Sequence, residues 1–257
     1  MVDRKLVKNY FERHFSIKAL IVAIIGLLLI SSVPTFGIIL LLAGGGWLAF
    51  TFFLKTPATD EQVDQLISQE LEELKKKGLH KIGLIEEEVS LIEPIVVHGP
   101  YPHFLNQDTK FYYKKGKDSE IRASVIKGVV FFFSENQVYS YTCVIDLLTG
   151  NHFVETTDEY FYRDVVSVAT RSERIKLEPN NKALLGGRSL FGKAKVTDNN
   201  LERDVESFTL TTSGGTSINA YIRDNTVMNE QKGNMDVTDT EEKIKAMRNL
   251  LREKKAV

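Results

Sequence analysis

The chain has 257 residues, of which 43% are hydrophobic and 26% charged, with a formal net charge of −1. These are ordinary globular values and give no sign of a nucleic-acid partner. The single cysteine, Cys143, excludes an internal disulfide and with it a disulfide-stapled secreted scaffold.

Residues 1–18 form a basic leader, with Arg4, Lys5, Lys8, Arg13 and Lys18 against Asp3 and Glu12. From Ala19 to Leu54 no residue is charged. As one helix this run would be a rod of about 54 Å, against a hydrocarbon core of about 30 Å. Its middle reads "SSVPTFG", residues 31–37. Pro34 cannot continue a helix, the serines compete for backbone hydrogen bonds, and Gly37 tolerates a turn. The pattern predicts a transmembrane helical hairpin over 19–54, with arms at about 17–31 and 37–54. A shallower re-entrant form is the alternative. The uncharged turn and basic flanks predict both termini in the cytoplasm, hence a multi-pass protein of the cell (inner) membrane. Gly44, Gly45, Gly46 and Ala49 in "AGGGWLAF" are small enough for close helix packing, on the first arm or on another copy.

Residues 59–90 predict a juxtamembrane helix and connector. Thr59 and Gln62 make a capping box. Val63, Leu66, Ile67, Leu71 and Leu74 recur at helical spacing, and Gly78 is the expected stop. Beyond Leu91 the pattern turns to strands. "LIEPIVVHG", "IRASVIKGVVFFF" and "VYSYTCVIDLL" are β-rich, and the last alternates like a half-buried strand. "SENQ" and Thr149-Gly150-Asn151 mark turns. "EYFYRDVVSVA" reads as one further strand. Residues 171–203 are polar and predict a long connection holding one weak hairpin. "ESFTLTT" and "SINAYIR" flank the turn "SGG". A last helix carries a capping pair, Thr238 and Glu241, and an apolar stripe of Ile244, Met247, Leu250 and Leu251.

Several antiparallel strands followed by one amphipathic helix predict an α+β domain over 91–257. The segment order, with "EYFYRDVVSVATRS", "SFTLTTSGGTSI" and "TEEKIKAMRNLLREKK", resembles bacterial membrane-anchored proteins of the PH/GRAM-like superfamily. The resemblance implies a PH-like β-barrel or curved sheet with a C-terminal helix, used to bind lipid headgroups or protein segments. In PH-like domains a basic loop between early strands often binds phosphoinositides. Here "YYKKGKDSEIR" supplies Lys114, Lys115, Lys117 and Arg122, against Asp118 and Glu120.

Other constellations give weak chemistry. His98 and His103 in "HGPYPH" lack a third ligand, and His14, His80 and His152 have no companions in the sequence, so no metal is expected. "TTSGGTS" lacks the lysine and helix of a phosphate loop. Asp158, Glu159 and Asp164 show no tuned acid–base pair. No nucleophile triad assembles from motifs. No catalytic residue and no cofactor are therefore expected. The sequence points to a non-enzymatic membrane-anchored binding, scaffolding or sensor protein. Its expected partners are a lipid bilayer, anionic lipid headgroups, and a protein partner or another copy of itself. The alternative is an oligomerising membrane effector whose cytoplasmic domain senses a trigger.

Overall fold

The computed structural model describes every residue except 1, 13–16, 54–55, 90–91, 104–109, 178–183, 186–194, 197–201 and 256–257. Three helices come first: α1 (Arg4–Phe11), α2 (Ile17–Leu29) and α3 (Pro34–Phe53). The long α4 (Asp60–Ile82) leads into the β region. There β1 (Ile95–Pro100), β4 (Val125–Phe133), β5 (Gln137–Asp146) and β6 (His152–Phe161) form one antiparallel sheet in the order β1-β4-β5-β6. A second sheet joins β7 (Val165–Lys176), β10 (Glu202–Thr212) and β11 (Ser217–Asp224) in the order β11-β10-β7. A third small sheet contains β2 (Tyr112–Lys115), β3 (Ile121–Ala123), β8 (Leu184–Leu185) and β9 (Lys195–Val196). Helices α5 (Asn225–Gln231) and α6 (Thr238–Lys255) end the chain. The α+β class with antiparallel sheets stands, with one parallel pair, β2 and β8.

The four-stranded sheet is the middle layer, because both of its faces are apolar. Along β4, Ile126, Val130 and Phe132 enter one core, and Val129, Phe131 and Phe133 enter the other. The first core is closed by Val63, Leu66 and Leu74 of α4, by Val7, Tyr10 and Phe11 of α1, and by Tyr113 of β2. The second is closed by Phe208, Leu210 and Ile222 of the second sheet and by Ile244, Met247 and Leu251 of α6. Strand β5 is accordingly buried on both sides. Ser140, Thr142 and Asp146 are covered like their apolar neighbours, where alternation predicted a half-buried strand.

Local signals explain most element ends. The Thr59 cap is complete: its hydroxyl accepts from Gln62 N at 3.3 Å, and Gln62 Oε1 accepts from Thr59 N at 2.9 Å. Helix α4 runs through Gly78 and stops at Gly83, which takes the left-handed conformation at φ 80°. Gly78 serves packing instead: a Cβ there would stand 3.0 Å from both Phe132 and Tyr141. Thr238, expected as the cap of α6, is already its first residue, and Asp236, two residues earlier, accepts from Thr238 N at 3.0 Å. The run "EYFYRDVVSVA" is broken into β6 and β7 by a 3-10 turn at Tyr162–Asp164. Within 171–203, β8 and β9 pair as a two-residue hairpin.

The apolar segment does fold as a hairpin, turning at Ile30–Val33 with Pro34 opening α3. Its seam is made by glycines. A Cβ on Gly26 would lie 2.4 Å from Leu41 N, one on Gly37 2.6 Å from Ile30 N, and one on Gly44 2.5 Å from Ala23 N. Yet among the described residues no helix is long and apolar enough to cross a membrane. Helix α2 has 13 residues, about 20 Å of rise, which falls short of a hydrocarbon core of about 30 Å. The transmembrane hairpin, the multi-pass inner-membrane placement and the orientation drawn from two spans are corrected accordingly.

Candidate functional site

The surface is dominated by one feature. Of the sixteen large apolar side chains that stand exposed among the described residues, twelve lie between Ile21 and Phe50. They lie on the sides of the two arms turned away from each other, Ile21, Ile24, Ile25 and Leu28 on α2 among them, while Ala19, Gly26, Gly37 and Gly44 are buried in the seam, so the outside of the hairpin as a whole is apolar. Leu27 and Leu28 of α2 are 60% and 69% exposed, and Ile39, Leu42 and Phe50 of α3 are 62%, 68% and 63% exposed. A helix that is apolar all round requires an apolar environment all round.

Both ends of the hairpin are tied to the β domain at its root. Ala58 N donates to Leu6 O at 2.9 Å, which clamps the segment after α3 onto α1. Tyr10 at the end of α1 is buried, and its hydroxyl donates to Asp60 Oδ1 at 2.7 Å. Burial first, and then that carboxylate, push the Tyr10 phenol well above its ordinary value. Asp60 in turn accepts from Lys117 N at 2.7 Å. Tyr112 of β2 donates to Glu12 at 3.0 Å.

The basic loop therefore sits at the root of the hairpin, and the fold brings together two features that lie far apart in sequence. Lys114 Nζ donates to Tyr10 O at 2.8 Å and lies 3.4 Å above the Tyr10 ring. Lys115 Nζ donates to Lys232 O at 2.6 Å, at the end of α5. Arg122 is 7% exposed. Its Nε and Nη2 each reach Asp64 at 2.6 Å, and Nη2 also reaches Asp118 at 2.6 Å. That guanidinium holds Asp118 below the usual carboxylate range. Three of the four predicted cations thus have internal partners. The Lys117 backbone is held by Asp60, at the foot of the hairpin.

The predicted small-residue set divides. Gly44 is buried in the α2–α3 seam, whereas a Cβ on Gly45 or Gly46 would meet nothing within 4 Å, and Ala49 is exposed. Gly26 and Gly37 complete the seam. Gly37 precedes Gly44 by two helical turns on α3, the spacing that marks it in the sequence. Arg13, His14 and Lys55 lie outside the described residues.

The weaker constellations resolve as structure. "TTSGGTS" is the β10–β11 turn, with Gly215 at φ 84° and Thr212 N donating to Thr216 O at 3.0 Å. His103 Nε2 and the Tyr221 hydroxyl are 3.0 Å apart. Asp158 and Glu159 hydrogen-bond Ser140 and Gln137 across the β5–β6 ladder, and Asp164 lies in the 3-10 turn. His152 is the exception, because the fold supplies companions that the sequence hid, Cys143 and Glu155. Comparison of the chain with protein-family models, with curated proteins and with solved structures gives no match.

Proposed function

We propose that this is a non-enzymatic binding or scaffolding protein, held to a lipid bilayer by its apolar hairpin and displaying its β domain at that surface. The observation that carries the proposal is the all-round exposure of apolar side chains from Ile21 to Phe50. A second protein would cover one stripe of such a hairpin, whereas lipid chains surround it. The hairpin enters and leaves by one face of the bilayer and anchors without crossing. Its root then lies at headgroup level, where the Lys114–Arg122 loop is held. A cation close to an anionic surface contributes about 1 kcal/mol, which Asp118 and Glu120 offset in part.

The test uses the full chain and its single tryptophan, Trp47, which is half exposed on α3. Mixed with phosphatidylcholine vesicles, the protein is expected to float with them and to shift Trp47 emission to the blue. Leu28→Lys with Leu42→Lys abolishes both effects. A second reading, an oligomerising effector, draws on the open surface at Gly45 and Gly46. Stable oligomers in water, with neither flotation nor a blue shift on adding vesicles, would replace the lipid reading with that one.

A further inference from the structure

Under α4, strands β5 and β6 carry a polar cluster that runs from the buried Cys143 through the partly buried His152 to the exposed Glu155. Cys143, His152 and Glu155 each place one ligand atom within 4.8 Å of the others. The ladder between the two strands is interrupted there. Thr142 pairs with Thr156 and Val144 pairs with Phe153, so Cys143 stands opposite two residues, Val154 and Glu155. This is a β-bulge, and Val154 takes φ 49° to make it, a rare conformation for a β-branched side chain. Its consequence is directional. In a regular strand, residues three apart point to opposite faces. The extra residue turns His152 and Glu155 to the same face, toward Cys143.

The surroundings prepare these three side chains as donors. Glu70, 4% exposed and ion-paired to Arg4, accepts from His152 Nε2 at 3.2 Å. That bond fixes the ring and, in the neutral imidazole, leaves the Nδ1 lone pair facing away from Glu70. Lys77 Nζ stands at that lone pair, 3.3 Å from Nδ1, and also 2.5 Å from Glu155 Oε1. A cation thus already bridges two of the three donors. Independently, the fully buried Tyr141 hydroxyl lies beside Cys143 and Glu155 and has no hydrogen-bond partner. A buried hydroxyl left without a partner is costly, and a water or ion at the cluster would satisfy it.

We infer that Cys143 Sγ, His152 Nδ1 and Glu155 form a three-donor site for a borderline transition-metal ion of the zinc type. One thiolate, one imidazole and one carboxylate suit such an ion, with a fourth position for water. That water is the partner Tyr141 lacks. On binding, the Cys143 thiol releases its proton and the ion displaces the Lys77 ammonium, which is on a one-third exposed side chain and swings into solvent. Glu70 acts as a positioning residue, in the way a carboxylate orients a metal-bound histidine.

The experiment is a cobalt(II) titration of the full-length protein, followed by its thiolate-to-cobalt charge-transfer absorption and reversed by zinc. One equivalent is expected to bind. Cys143→Ser removes the absorption, and Glu70→Gln weakens affinity about 10- to 100-fold. Lys77→Gln removes the competing cation and tightens binding about fivefold, a change that a merely structural role for Lys77 would not produce. Far-ultraviolet circular dichroism confirms that each variant is folded. No charge-transfer absorption in either the wild type or Lys77→Gln overturns the proposal. So does an absorption whose affinity is unchanged in His152→Ala and Glu155→Gln.

Discussion

Truncating two neighbouring residues of α6 separates packing from surface effects. Met247 is 0% exposed in the second core, between Ile244 at 1% and Leu251 at 5%. Leu250 is only partly buried at the edge of the same core. Removing a fully buried Met or Leu side chain costs the transfer free energy of the lost atoms plus the cavity left behind, about 2–5 kcal/mol. Met247→Ala falls in that range, because the surrounding Phe131, Phe133 and Phe208 belong to a rigid sheet core that cannot collapse into the gap. Leu250→Ala retains solvent access and leaves no closed cavity, so it costs about 1 kcal/mol. For a domain of about 150–250 residues each kcal/mol moves Tm by about 2–4 °C. Met247→Ala therefore lowers Tm by about 4–20 °C, and Leu250→Ala by about 2–4 °C. Differential scanning calorimetry and urea unfolding of the full chain measure both. Equal shifts, or a larger one at Leu250, would mean that α6 presents the other face to the sheets and that the second core is closed by something else.

Gly99→Ala places a Cβ 2.0 Å from Tyr221 O, so β1 and β11 must separate; urea unfolding is expected to show a loss of about 1–3 kcal/mol or more. Gly45→Ala, with nothing within 4 Å, is expected to leave the unfolding midpoint unchanged. Arg122→Met leaves Asp64 and Asp118 facing each other at the hairpin root. Both acids are about half exposed, so the expected loss is about 1–2 kcal/mol rather than the 3–5 of a fully buried pair, read from the same unfolding curves. His98 is held down to about 4, first by burial and then by Lys243, while Asp239 opposes the shift. A histidine whose folded value is depressed is neutral in both states above about 6.5. Its stabilising contribution is complete there and is lost as pH falls from about 6.5 through about 4. Stability measured from pH 7 to 4 should therefore fall less steeply in His98→Gln than in the wild type.

What could be read in the sequence was local. The Thr59–Gln62 cap, the break in the apolar run near Pro34 and the α6 stripe each depend on residues within one or two turns, and each is present. Glycine was legible as a type but not by role. Gly78 and Gly83 both suit a helix stop, and only the approach of Phe132 and Tyr141 to Gly78 decides between them. The apolar run announced a hairpin, but the turn falls at Ile30–Val33 and α3 opens at Pro34, three residues before the second arm expected from Gly37. The polar cluster was invisible. His152 and Glu155 are three apart in a strand, which alternation assigns to opposite faces, and the bulge that reunites them is formed at a valine, with no Gly or Asn to mark it.

On the proposed function, the hairpin root would make anchoring and display one device. A flexible linker between hairpin and domain would leave the domain free to tumble over whatever surface covers the apolar arms. Here the connections on both sides are docked. Helix α1 buries Val7, Tyr10 and Phe11 in the first core, and α4 buries Val63 and Leu66 in the same core within its first two turns. The Tyr10–Asp60 hydrogen bond and the Leu6–Ala58 bond join them directly. Undocking either flanking helix would expose core side chains at roughly 1.5–3 kcal/mol each. The basic loop, tied to Tyr10 and Asp60, stays at the root in every orientation that keeps the first core closed.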